Sequence, residues 1–252
     1  MSLLSPERAP RSALVGSTQP SSQTLARVTG ALFLLTFVTA IAGDVLYNPA
    51  LDDRGYIVGT GADTRVTLGA LCELVLIIAN IGTALALFPI LKRQNEGLAL
   101  GYVAARIVEC VFIGVGLLSM LALVALRQEP AGAADASLIP IGQTLVGIKD
   151  WTFLLGPGFV VGVGNGLILG YLMYRSRLVP RGMAMLGLIG GPLICASGIA
   201  VMFGGIDQGS DWQMLATVPE FFWELSLGVY LLVMGFKPSS PLLAAGERDP
   251  LT

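Results

Sequence analysis

No histidine occurs in the 252 residues of this chain. That absence excludes histidine-ligated haem, histidine-bearing zinc or copper sites, Ser-His-Asp and Cys-His catalysis, and imidazole proton shuttles. Charge is scarce as well. Asp, Glu, Lys and Arg make up 13% of the chain, against roughly 25% in an ordinary soluble domain. The net charge of −2 comes without a basic stripe, so nucleic acid is not an expected partner. Only three cysteines are present, Cys72, Cys110 and Cys195. Each lies in an apolar run and none forms a CxxC, so they read as small buried hydrophobes. No metal site and no cofactor is expected.

Apolar residues are abundant. Hydrophobic side chains account for 54% of the chain, with 32 glycines besides, and the mean hydropathy is +0.75. A soluble domain of this length could not hide so much apolar surface. The remaining class is an all-α, polytopic membrane protein, with the lipid bilayer as its first partner. About 20 apolar residues in a helix cross the hydrocarbon core. Six runs qualify, at 26–47, 66–91, 98–126, 151–174, 182–204 and 214–236. None shows the ten-residue alternation of a membrane β-barrel. They predict one six-helix domain over 25–237, between polar tails at 1–24 and 238–252 that read as disordered.

The cations set an expected orientation. With the amino terminus inside, ten lie on the inner side: Arg8, Arg11, Arg27, Lys92, Arg93, Arg175, Arg177, Arg181, Lys237 and Arg248. Arg54, Arg65 and Arg127 lie outside. The bias predicts both tails on the cytoplasmic side. Trp151, Trp212, Tyr47 and Tyr56 would mark the outer interface, and Tyr102, Tyr171, Tyr174 and Phe236 the inner one. Arg175, Arg177 and Arg181 read as a membrane-surface anchor beside a helix end, with Pro180 stopping one helix and starting the next. The apolar stretch SLIPIGQTLVGI is too short to span and reads as an interfacial or re-entrant segment before the fourth crossing.

Gly158, Gly162, Gly166 and Gly170 repeat at i+4 in the fourth run. Such a stripe admits a second helix at close range. Packing within the chain is the favoured use, and homo-oligomerisation the alternative.

Charges inside the apolar runs are the main functional signal. Glu73, Asn80, Arg106, Glu109, Lys149, Asp150 and Glu224 form a candidate ligand- or cation-binding cluster in the outer half of the bundle. A charge at mid-bilayer costs about 2.5–3.5 kcal/mol by insertion scales, so these groups should face inward and pair. Arg106 and Glu109 stand i, i+3 on one helix, and Lys149 could serve another acid. The remaining carboxyls either are held neutral or line a water-filled cavity open to the outside. A small molecule or a cation is the expected partner. The alternatives are that the pairs only hold the bundle together, or that paired acids do acid–base work. No nucleophile or oxyanion motif accompanies them, so no catalytic residue is assigned.

Four segments carry a family resemblance: ARVTGALFLLTF at 26–37, LKRQNEGLALGYVAARIVECVFIGVG at 91–116, GYLMYRSRLVPRGMAMLGLIGG at 170–191 and ELSLGVYLLVMGF at 224–236. Together they resemble the bacterial domain-of-unknown-function family 4386. The resemblance implies six membrane spans and supplies no reaction. It singles out Arg106, Glu224 and the turn Tyr174, Arg175, Ser176 and Pro180. Where some members carry a histidine at the start of the fourth span, this chain has Lys149-Asp150.

Overall fold

The computed structural model describes residues 21–58, 61–129 and 135–246. The remainder of both tails, with Arg8, Arg11 and Arg248, lies outside them. Among the described residues there is no strand. Six helices are long and apolar enough to cross a membrane. Three are α1 (Ser22–Leu51), α2 (Asp63–Leu91) and α3 (Glu96–Gln128). The fourth is one continuous helix over Ala136–Ser176, including α4 (Ile139–Phe153) and α5 (Gly170–Ser176). α6 (Arg181–Met202) and α7 (Asp211–Val233) complete the set, and a short α8 (Pro241–Gly246) follows.

Polar caps carry the helices past their apolar runs. Ser21 accepts the Thr24 amide at 3.1 Å to start α1, and Asn95 accepts the Leu98 amide at 2.9 Å to start α3. Each cap satisfies an amide that a helix start leaves open. The fourth helix corrects the expectation of a separate interfacial segment. Pro140 sits in the first turn, where its missing N–H costs nothing. The stretch SLIPIGQTLVGI therefore opens the fourth helix itself. Within that helix, Leu154–Val160 and Gly162–Leu169 are π-helical, a wide winding that concentrates at functional sites.

The six long helices pack in chain order as a closed ring. Each touches the next, and α7 returns to α1. Both ends of the described chain lie on one side, here the tail side, with the opposite face called the loop side. A glycine crossing closes the ring: a Cβ on Gly30 would collide with the backbone of Leu232 and stand 2.7 Å from the Gly228 carbonyl. Gln23 then clasps Phe236, accepting its amide at 3.0 Å and donating to its carbonyl at 2.9 Å.

Two apolar cores fill the ring. The tail-side core gathers Leu87, Leu91, Tyr102, Met173, Trp223 and Phe236. The loop-side core gathers Tyr47, Tyr56, Ile57, Met120 and Leu123. Four expected interface markers are therefore interior residues: Tyr47, Tyr102 and Phe236 are fully buried and Tyr56 nearly so. Trp151, Trp212 and Tyr171 are exposed.

Residues 238–246 also depart from a disordered tail. Ser240 is buried and donates to the Ser176 carbonyl at 2.7 Å, while Leu242 and Leu243 pack on the tail-side core. The Tyr174–Pro180 turn supplies this dock. Arg177 takes φ 57°, which an arginine adopts at a cost, and its amide still closes on Met173 at 3.1 Å. Leu178 then accepts the Lys237 amide at 2.8 Å.

Candidate functional site

Between the two cores runs a polar layer. Glu73 enters it from α2, where its Oε2 accepts the Tyr47 hydroxyl at 2.9 Å and its Oε1 accepts the ammonium of Lys149. The Lys149 nitrogen also lies 5.0 Å from the centre of the Tyr47 ring, within cation–π range. Gly116 of α3 makes that reach possible, because a Cβ there would stand 2.5 Å from Thr152 Oγ1 and 3.0 Å from Lys149 Cδ.

A second pair lies toward the tail side. Arg106 Nη1 donates to Glu109 Oε2 at 2.7 Å, and Nη2 donates to Asn80 Oδ1. Asn80 Nδ2 returns to Glu109 Oε1 at 2.9 Å, so three buried groups join in a closed loop, with Arg106 Nε left without a hydrogen bond among the described residues. The α7 acid Glu224 accepts from Asn165 Nδ2 of the fourth helix. Glu73, Asn80, Arg106, Glu109 and Lys149 are each less than 8% exposed.

These groups share a cavity of about 230 Å³. Six of the seven cluster residues line it: Glu73, Asn80, Arg106, Glu109, Lys149 and Glu224. The rim is formed by Ile41 and Asp44 of α1, Phe153 of the fourth helix and Phe221 of α7, all exposed. Asp150 does not join. It is exposed and lines a separate loop-side pocket with Asp53 and Arg54, because the next residue on a helix points about 100° away from Lys149.

The expected glycine stripe lies elsewhere in the fourth helix. Gly162, Gly166 and Gly170 press against the backbone of α6, chiefly at Gly191, Leu188 and Ala184, whereas Gly158 meets only its own helix. Arg175 and Arg177 are exposed at the tail side, and Arg181 lies over the Tyr174 ring at 5.0 Å.

Sequence reasoning missed two contributors to the layer. Tyr47 resembles a belt tyrosine until its partner on another helix is known. Asp44 stands among the apolar residues of α1, where its charge was the available signal. Glu220, one turn before Glu224, is 2% exposed with neither oxygen hydrogen-bonded among the described residues.

Outside the spans, a latch holds the loop side. Arg127 grips Asp63 through Nε at 2.6 Å and Nη2 at 3.2 Å, and the Tyr56 hydroxyl donates to Asp63 at 2.9 Å. Burial, reinforced by that hydrogen bond, holds the Tyr56 phenol above its ordinary range, so it stays protonated and remains a donor.

A ring of apolar helices around a sequestered charged cavity defines a multi-pass helical membrane protein. More particularly, the chain belongs to the family described as domain of unknown function (DUF4386), whose model matches residues 28–235. No curated protein and no solved structure matches it.

Proposed function

We propose that this protein binds a small cation-bearing ligand in the 230 Å³ cavity and works as a carrier-like membrane protein. The carrying observation is the surplus of acid on the cavity wall. Glu73, Glu109, Glu224 and Asp44 face two cations, Lys149 and Arg106. Those cations are engaged by Glu73 and Glu109, which leaves Glu224 and Asp44 without a cationic partner among the described residues. An added positive charge reduces this surplus of two acids, whereas an added anion would face it. The volume limits size. It falls below the roughly 300–1,000 Å³ of drug-binding clefts and admits a compact amine or a partly hydrated cation. Phe37, Phe153 and Phe221 offer aromatic faces to such a group.

The cation bias supports an orientation. Arg27, Lys92, Arg93, Arg175, Arg177, Arg181 and Lys237 stand on the tail side, against Arg54, Arg65 and Arg127 on the loop side. We place the tail side in the cytoplasm of a bacterial inner membrane, so the rim falls in the outward half.

Thermal unfolding of the purified full-length protein against primary amines, quaternary amines and inorganic cations tests the reading. A true ligand at about 100 times its Kd adds ~2.7 kcal/mol. That gain should vanish in Glu224→Gln while the variant still folds. A second reading, a scaffold whose buried pairs are purely structural, is favoured by the closed Arg106–Glu109–Asn80 loop. It predicts no stabilisation by any panel member and loss of folded protein in Glu73→Gln.

A further inference from the structure

Behind the cavity wall lies a second group of oxygens that the proposed ligand does not reach. Glu220 is lodged where the fourth helix, α6 and α7 meet. A Cβ placed on either Gly166 or Gly190 would stand 2.8 Å from its Oε2. Both carboxyl oxygens are buried without a hydrogen-bond partner among the described residues. Asn165, the residue before Gly166, is fully buried; its Nδ2 serves Glu224, and its Oδ1 has no partner. The Trp223 indole, the nearby donor on α7, is committed to the Asn165 backbone carbonyl at 3.0 Å.

Four helices contribute the remaining surroundings. α3 turns Arg106 this way, its two Nη atoms engaged by Glu109 and Asn80 and its Nε without a hydrogen bond among the described residues, and Glu109 stands near Glu224. α6 brings Cys195, whose thiol donates to the Phe159 carbonyl at 3.4 Å. α7 itself brings Glu224, and α1 faces α7 with Gly30, Phe33 and Phe37. Three buried acceptors, both Glu220 oxygens and Asn165 Oδ1, thus have no hydrogen-bond donor among the described residues, and Arg106 Nε is a buried donor likewise without a hydrogen bond. Buried acceptors left unsatisfied carry a desolvation cost that is larger when they are charged, so an arrangement of this kind calls for a positive partner.

We infer that Glu220 and Asn165, with Glu224 beside them, form a binding site for one monovalent cation, a hydron or sodium. A calcium ion takes about six to eight oxygens, more than this set supplies. A hydron on Glu220 would provide the missing donor for an orphan acceptor. A sodium ion would be held by the same oxygens beside a π-helical segment, where backbone winding is already irregular. Gly166 and Gly190 leave room for the Glu220 carboxyl itself, since a Cβ on either would crowd its Oε2.

Thermal unfolding of the full-length protein from about pH 5 to 9, in sodium chloride and in potassium chloride at equal ionic strength, separates the two ions. If the ion is a hydron, the folded state holds one proton more than the unfolded state. Stability then falls as pH rises, by up to tenfold in the folding equilibrium per pH unit. Glu220→Gln abolishes that slope, Glu220→Asp retains it, and the infrared carbonyl band of a protonated acid disappears in Glu220→Gln. If the ion is sodium, the alkaline samples are stabilised by sodium over potassium, and Glu220→Gln loses that difference. The inference is overturned if wild-type protein shows neither a protonated-acid band nor a sodium response. It is equally overturned if Glu220→Gln keeps both wild-type responses. No amine is used, Glu224 is retained and the response is read at Glu220→Gln, so failure here is distinguishable from failure of the Glu224-dependent ligand test above.

Discussion

Lys149 and Asp150 are neighbours in the chain and opposites in environment. One is 5% exposed and bound to Glu73; the other stands in the open. Removing one partner of a buried pair is costlier than removing both, because the survivor is left charged and alone. Lys149→Met should therefore destabilise by about 3–5 kcal/mol, and adding Glu73→Gln should recover a large part of it, as read by a double-mutant cycle in denaturant unfolding. Gly116→Ala probes the same contact without touching a charge. The new methyl would strike Thr152 Oγ1 and the Lys149 stem, and overpacking of this kind costs about 1–3 kcal/mol. The residues of this layer were legible because charge inside an apolar run is conspicuous. Their pairing was legible only within a helix, as for Arg106 and Glu109. Tyr47–Glu73 and Lys149–Glu73 join different helices, and no spacing in one sequence encodes such a meeting.

At the scale of elements, the crossing of the fourth helix with α6 depends on paired glycines. Gly166 and Gly191 approach so closely that a Cβ on either meets backbone of the other helix. Backbone cannot swing aside as a side chain does, so Gly166→Ala should lower the thermal midpoint more than Gly158→Ala, which meets only its own helix. The i+4 repeat showed that a close contact existed, but it named neither the partner helix nor the π-helical winding. The short α8 offers a milder test. Ser176→Ala removes two local side-chain hydrogen bonds, since Ser176 Oγ donates to the Met173 carbonyl and accepts the Leu178 amide, each at 3.3 Å. The backbone carbonyl that receives Ser240 is kept. Ser240→Ala removes that longer-range tether, and it should cost about 1 kcal/mol and speed proteolysis after Lys237. The last helix was missed because six residues carry too little periodicity to stand out from a polar tail.

For the whole molecule, the number of helices was legible from hydropathy alone, since length and apolarity are local quantities. The fourth helix was the exception: its polar opening turns, with Ser137, Gln143 and Thr144, hid their continuity with the apolar part. The ring closure was not legible, because it rests on α1 meeting α7 across most of the chain. Orientation can be read directly. Fluorescent-protein and alkaline-phosphatase fusions after Lys237 should be bright and inactive, respectively, if the tail side is cytoplasmic; the reverse pattern would invert the proposed topology. The clasp of Gln23 on Phe236 has a bearing on how the protein is made. The seam between α1 and α7 cannot be sewn until α7 has been made, so every earlier nascent intermediate leaves the charged chamber without the wall that carries Phe221 and Glu224. Biogenesis must shelter those acids from lipid until the final segment emerges.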